Sequence, residues 1–458
     1  MMRWFLGLLL LLTMTRADAW DNDDFDLYPI VVRAGRVNRL TIDCKDAGLL
    51  REPERLVIDY VRGDGMFDHR TYAYYDSHRE IPFEIIDETT LALELNFDGE
   101  MEYAFRIFRL EGDTRQPRQL ANLKVYALRE DLWRLRPWKG DVHMHSRYSD
   151  GKGEPAEVAA YARCKGLDFM ALSDHVAYRP SLLAIEAMAA LPTELRCYPG
   201  EEVHAPRNPV HIVNFGGSFG VSDWFRDHPE EYQAAFQAKL ATIPADDNQV
   251  AREDVASSEV VFDQIRAGGG IAIFSHPYYR MANRVYIMDD TAEWILKRRN
   301  FDAVELIGGY EKSATEDNAL MLSRYLQLLR DGNHLPVVGA SDGHTYDPES
   351  FFYWYYTIVF APSVDFGELS AAILDHRSVA VENVDGRDLR VWNADFRLAR
   401  YAYFLLHEYF PKHDALCREE GELLLRAVRG DETAVPELDA RRYAVAELMK
   451  KYFQADGK

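Results

Sequence analysis

The chain has 458 residues, and at about 150 residues per domain it holds two or three domains. With 47% hydrophobic and 28% charged residues it has the composition of a globular protein with a sizeable core, which excludes a disordered or fibrous chain. A formal charge of −22 excludes nucleic acid as a partner, because phosphate contacts need a net basic face, and leaves room only for a local basic pocket holding one small anion.

In chain order, "MMRWFLGLLLLLTMTRADAW" sets Arg3 before an apolar run from Phe5 to Met14, followed by Ala17 and Ala19 in an A-x-A arrangement. This predicts a secretory signal over residues 1–19 and an exported, periplasmic or secreted protein. The run is shorter than the ~20 apolar residues a bilayer span needs, and no later stretch qualifies, so no membrane partner is expected after cleavage. Cys44, Cys164, Cys197 and Cys417 are too few and too scattered for a disulfide framework. Cys164 and Cys197 are open to pairing in an exported chain, and isolated buried thiols are the other reading.

From Asp26 to Leu128, short stretches such as "RLTIDC", "RLVIDYV", "LALELNF" and "YAFRIFRL" alternate or are β-branched and end in Gly and Asp turns. They predict a β-sandwich accessory domain over residues 20–136, in which His69 and His78 belong to no cluster. After Trp138 the pattern becomes apolar strands separated by helical stretches, for example 154–165, 258–267 and 314–329. Repetition of this kind predicts an α/β domain over 137–390 with parallel strands and crossover helices, and the number of units favours a barrel over a doubly wound sheet. Residues 216–257 read as a helical insertion able to lid a site. Residues 391–458 read as a helical extension whose aromatics recur at helical spacing, as core contacts do.

In "KGDVHMHSRYSDG", Lys139 to Gly151, His143 and His145 share one face of a strand. Further polar residues sit at the ends of the other strands: Asp174 and His175, Glu201 and Glu202, His211, His276, and Asp342 with His344. Active sites of barrel enzymes assemble at the C-terminal rim of the strands, so one rim collects this whole set. Buried imidazoles and carboxylates without partners are costly, and divalent metal ions are the usual way to satisfy them. Nitrogen and oxygen ligands without thiolate suit Zn, Mn or Fe. A carboxylate between two groups of histidines can bridge two cations, which polarise a substrate oxygen and acidify a bound water, so the predicted chemistry is hydrolysis.

The segments "DVHMHSRYSDG", "GLDFMALSDH", "PGEE", "HIVNFG", "FSHP" and "GASDGH", in that order between Gly140 and Thr345, resemble the polymerase and histidinol phosphatase (PHP) metallohydrolases. An export signal and a β-rich front domain look most like the branch that includes carboxylester and phosphoester hydrolases. The resemblance implies a distorted (β/α)7 barrel holding two or three metal ions. By motif position, His143, His145, Glu202 and Asp342 would hold one ion. Glu202 would bridge to a second, completed by His211 and His276, while Asp150, His175 and His344 would hold a third. Glu202 is preferred to Glu201 because the family pattern is Gly-x-Glu with Gly200 as the Gly; His204 competes with His211, which opens an apolar strand. The family often has Asn shortly after the glutamate of the sixth strand, whereas Glu305 here is followed by glycines in "VELIGGY".

Arg147, Arg179 and Arg280 each follow a metal motif closely and suit a bidentate grip on phosphate; solvated loop arginines are the competing reading for each. With Glu202 and Asp342 they make up the expected catalytic set. The expected activity is a metal-dependent phosphoesterase acting on a small-molecule phosphate ester, with a metal-bound hydroxide as nucleophile. A carboxylic ester or amide hydrolase using the same metals is the alternative. A non-enzyme reading is an exported glycan- or partner-binding protein with an inactive barrel.

Overall fold

A computed structural model describes residues 22–453 apart from 47, 65–66, 69–72, 75–78, 113–115, 246–247, 312–313 and 347–352. The expected signal segment, His69 and His78 lie outside the described residues. The chain forms two compact units, one from the described residues up to Trp133 together with Met449–Phe453, the other Arg134–Leu448.

The first unit holds a four-stranded sheet in the order Phe25–Tyr28, Val37–Cys44, Thr90–Asn96, Phe83–Ile85, and a five-stranded sheet in the order Val31–Arg33, Gln116–Leu128, Met101–Glu111, Leu56–Arg62, Arg79–Glu80. Strand Met101–Glu111 shows why: Met101, Tyr103, Phe105 and Ile107 are buried and alternate with half-buried Glu102, Ala104, Arg106 and Phe108, the period of a sheet with one face covered. Leu40, Ile42, Leu91 and Leu93 of one sheet share a core with Ile58, Phe105, Ile107 and Val125 of the other.

In the second unit seven strands carry the site: β1 Arg136–Asp141, β2 Phe169–Ala171, β3 Gly200–His204, β4 His211–Phe215, β5 Ile271–Phe274, β6 Ala303–Gly308 and β7 Val337–Ala340. One sheet runs Arg196–Tyr198, β2, β1, Tyr355–Ala361, Ser378–Glu382, Arg390–Trp392; the other runs β3, β4, β5, β6, β7. Single parallel bridges, Met144 to Gly343 and His175 to Glu202, tie the end of β1 to that of β7 and the end of β2 to β3.

The expectation of parallel strands throughout is corrected. Pairs β1–β2, β5–β6 and β6–β7 are parallel, but β3–β4, β4–β5 and β1 with Tyr355–Ala361 are antiparallel. The link from His204 to His211 is too short for a crossover, which takes about a dozen residues, so β4 folds straight back on β3. The single run "RCYPGEE" also divides between the two sheets, and Pro199, with no N–H for a ladder, marks the break.

The insertion forms helices Val221–Asp227 and Pro229–Thr242 and the start of Gln249–Ala267, whose Val255, Val260, Val261, Phe262 and Ile265 pack in a core with Ile212, Phe274 and Val304. The C-terminal helices Phe396–Glu408 and Phe410–Val428 belong to the same unit. Phe410–Val428 lies so close to helix Pro155–Cys164 that a Cβ on Gly421 would stand 2.3 Å from the Cys164 nitrogen, so only glycine fits there. All four cysteines are free. Among the described residues no helix is long and apolar enough to cross a membrane.

Candidate metal centre

The chain leaves β1 at Asp141 and runs on through His143 and His145, both fully buried, with Met144 between them bridged to Gly343. On the far strands Glu202 sits within β3, His211 opens β4, His276 follows β5, and Asp342 and His344 follow β7. Two of these ligand positions have left-handed backbone, His276 at φ 25° and Asp342 at φ 49°, as does Val176 beside His175 at φ 55°. Non-glycine residues seldom adopt such angles, and strain of this kind persists where surrounding structure holds a functional geometry.

Glu202 is the hub. Its Oε2 lies 2.7 Å from His175 Nδ1, 3.3 Å from His143 Nε2 and 3.5 Å from His145 Nε2. Its Oε1 lies 2.7 Å from His211 Nδ1 and 3.2 Å from His276 Nε2. Asp342 Oδ1 stands 3.0 Å from His145 Nε2 and 3.3 Å from His143 Nε2. On the outer side Asp150 approaches His344 Nε2 at 3.1 Å and His175 Nε2 at 3.4 Å. The ligand atoms fall into three groups, each within 4.8 Å: His143, His145, Glu202, Asp342; His175, Glu202, His204, His211; and His145, Asp150, His175, His344.

The donor set fits divalent cations. His143 Nε2, Glu202 Oε2 and both ring nitrogens of His211 are buried without a hydrogen bond of good geometry, although Glu202 Oε2 is 2.7 Å from His175 Nδ1 and His211 Nδ1 is 2.7 Å from Glu202. Buried polar atoms are ordinarily satisfied, so lone pairs converging on the same space without partners are what metal ligands present.

No protein-family model matches the chain, and no curated protein does. Among solved structures, a two-domain protein from Bacteroides vulgatus containing a predicted PHP-like metal-dependent phosphoesterase is similar at 18% identity and a TM-score of 0.36, over 55% of this chain and 66% of that one. An amidohydrolase from Chromobacterium violaceum, with bound sulfate and no metal, is similar at 20% identity and a TM-score of 0.32, over 54% of this chain and 99% of that one.

The electrostatics follow from burial in competition with charge. Burial opposes the charged form of His143, but Glu202, Asp342 and Glu305 outweigh it and hold its pKa well above the ordinary value. Burial would likewise raise Glu202, yet His143 and His211 hold it well below the carboxylate range. His204 goes the other way: burial, then repulsion from His211, lowers it to about 3, leaving a neutral imidazole.

The two glutamates of "PGEE" face opposite ways, as neighbours on a strand must. Glu202 points among the histidines, while the Glu201 carboxylate accepts hydrogen bonds from the Val221 and Ser222 amides of the insertion and from Asn214 Nδ2. His204 and His211 are both present, their rings 4.0 Å apart, and His204 Nε2 is 2.9 Å from His175 Nδ1. The three arginines are engaged by carboxylates outside the cluster. Arg147 pairs with Glu154 at 2.7 Å, Arg179 with Glu186 at 3.1 Å, and Arg280 with Asp317 and Glu316, both at 2.6 Å.

Other residues complete the site. Asp174 accepts from the Ser146 and Ser149 amides and from both serine hydroxyls, holding the turn that leads to Asp150. Tyr346 OH bonds the backbone of His145, and the Tyr310 ring lies 4.1 Å from that of His344. Glu305, on β6, accepts from His143 Nδ1 at 2.9 Å, which fixes the tautomer that leaves Nε2 for an ion. The sequence signal for Glu305 was a lone carboxylate inside the apolar run "DAVELIGG".

Proposed function

We propose that this protein is a metal-dependent hydrolase with a PHP-type barrel closed from β1 to β7, preceded by a β-sandwich, and that it cleaves a small phosphate ester. The observation that carries the reading is Glu202, a buried carboxylate whose two oxygens face different sets of histidines, as a group shared between two cations must. His143, His145, Glu202 and Asp342 would hold one ion, Glu202 with His211 and His276 or His204 a second, and Asp150, His175 and His344 a third. Such ions supply Lewis-acid polarisation of the ester and a water acidic enough to react near neutral pH. The chain's own residues orient: Glu305 fixes the His143 tautomer, Asp174 fixes the Asp150 turn, and burial shields His143, His145 and Glu202 from bulk water.

A second reading, a carboxylic ester or amide hydrolase at the same centre, is favoured by the engagement of Arg147, Arg179 and Arg280 with carboxylates, which leaves them less free to clamp a phosphate. Turnover of an aryl phosphate against an aryl acetate separates the two. In the first reading the phosphate is hydrolysed only with divalent metal, and His143→Ala abolishes the reaction. Activity that survives chelation sinks both. Export is part of the proposal, and N-terminal sequencing of the protein made from the full reading frame tests it: a mature chain beginning after Ala19 is expected.

A further inference from the structure

Strand β6 is fully buried along its length, and its register against β7 slips between Glu305 and Ile307. Such irregularities re-aim side chains near functional sites. Glu305 is 2% exposed. One oxygen, Oε2, meets His143 Nδ1, while Oε1 is buried without a hydrogen-bond partner. It has room because residue 308 is glycine: a Cβ there would stand 2.2 Å from Oε1. Asn318 fixes this glycine, accepting its N–H and donating to its carbonyl, each at 3.0 Å.

Glu305 lines a narrow pocket, partly open to solvent, together with His276, Tyr279, Asp317 and Asp342. The other carboxylates of this wall are occupied. Asp342 faces His143 and His145, and Asp317 accepts from the Arg280 side chain and amide. Glu305 Oε1 is therefore a carboxylate oxygen in the wall of this pocket that is buried without a hydrogen-bond partner. A buried acceptor left unpaired is costly, and a ligand that brings a donor to it gains that cost back as affinity and selectivity.

We propose that Glu305 Oε1 recognises a hydrogen-bond donor on the substrate, so that the pocket takes an ester whose buried arm carries a hydroxyl or ammonium group. This rests on the hydrolase reading and adds the substrate class to it. Glu305→Gln isolates the role. The amide oxygen keeps the bond from His143 Nδ1, so metal loading is preserved, while the amide NH2 replaces the acceptor in the pocket by a donor.

The test compares metal-loaded wild type and E305Q on matched probes, glycerol 1-phosphate against n-propyl phosphate and ethanolamine phosphate against ethyl phosphate, with bound metal measured in parallel. Wild type is expected to show a KM about tenfold or more lower for the donor-bearing member of a pair, the value of one hydrogen bond to a charged group. E305Q is expected to lose that preference at unchanged metal content. A wild-type ratio near one overturns the proposal, as does an E305Q protein that keeps the preference. Weakened metal binding in E305Q, with the preference intact in the fraction that still loads, assigns Glu305 to His143 alone and also overturns it. If E305Q cannot be loaded, the wild-type ratio decides. Wild type that hydrolyses none of the phosphates, nor the matching acetates, removes the hydrolase reading itself and this inference with it.

Discussion

A carboxylate surrounded by imidazoles is neutralised by protons or by metal, and Glu202 lies within 3.5 Å of five histidines. Glu202→Gln removes the shared charge, so bound metal and turnover are expected to fall together, with elemental analysis and an ester assay as the measurements. A subtler case is Asp174. Its four hydrogen bonds shape the turn between His145 and Asp150 without touching the histidine nitrogens of the centre. Asp174→Ala is expected to weaken binding of the ion proposed for Asp150, His175 and His344 about 10–100-fold, the usual effect of losing a partner that orients ligands, and titration against a competing chelator reads it. The residue scale is also where the sequence was most legible. His143 and His145 were expected on one face from their i, i+2 spacing, and both reach Glu202 and Asp342 although β1 itself ends at Asp141. Glu305 was not legible as a site residue, because one carboxylate in an apolar run shows no period, and its aim depends on the irregular β6 register and a glycine three residues on.

At the scale of elements, helix Phe410–Val428 is joined to the β1 and β2 region by a buried polar network. Arg163 bonds Glu420 at 2.7 Å and Asp168 at 3.2 Å, His413 bonds Asp168 at 2.9 Å, and Lys139 bonds Asp414 at 2.9 Å. Removing Arg163 leaves Glu420 buried without its cation. Arg163→Met is therefore expected to cost about 3–5 kcal/mol, seen as a lower midpoint in urea unfolding with unchanged slope. This helix reads from sequence as a generic packed helix, since the partners of Glu420 and Asp414 lie some hundreds of residues away. Strand direction was equally hidden. The apolar runs of β3, β4 and β5 look the same whether paired parallel or antiparallel, and only the length of the link after His204 betrays the hairpin. The run Tyr355–Ala361, buried at every position, lacks the alternation that marks a half-covered strand, and periodicity alone does not separate such a run from a buried helix.

Over the whole molecule, the cluster of histidines and carboxylates links pH to stability. His143, His175 and His276 have folded pKa values raised above 6.5, so without metal their contribution is fully present below 6.5 and is lost as pH rises through the folded values. Glu202 and Asp342 are depressed from 4.5 and 3.8, so theirs is present above those values and is lost as pH falls through the folded ones. The contribution of these five groups to the metal-free protein is thus greatest between pH 4.5 and 6.5, where it is opposed by His204, held neutral at a cost to stability. Ions bind the deprotonated ligands, so loading should move that optimum to higher pH, and melting curves with and without chelator across the pH range check both claims. The two single bridges between the sheets of the second unit have a further consequence. Each joins a residue at a ligand position or next to one, Met144 to Gly343 and His175 to Glu202, so the seams are backbone-thin where the ions would sit. Cations held there would act as rivets across the seams, and stripping them should let these edges open locally. Deuterium uptake at the amides of His145, which bonds Gly343 O, and Val176, which bonds Glu202 O, is then expected to quicken well before that of the buried strand β5.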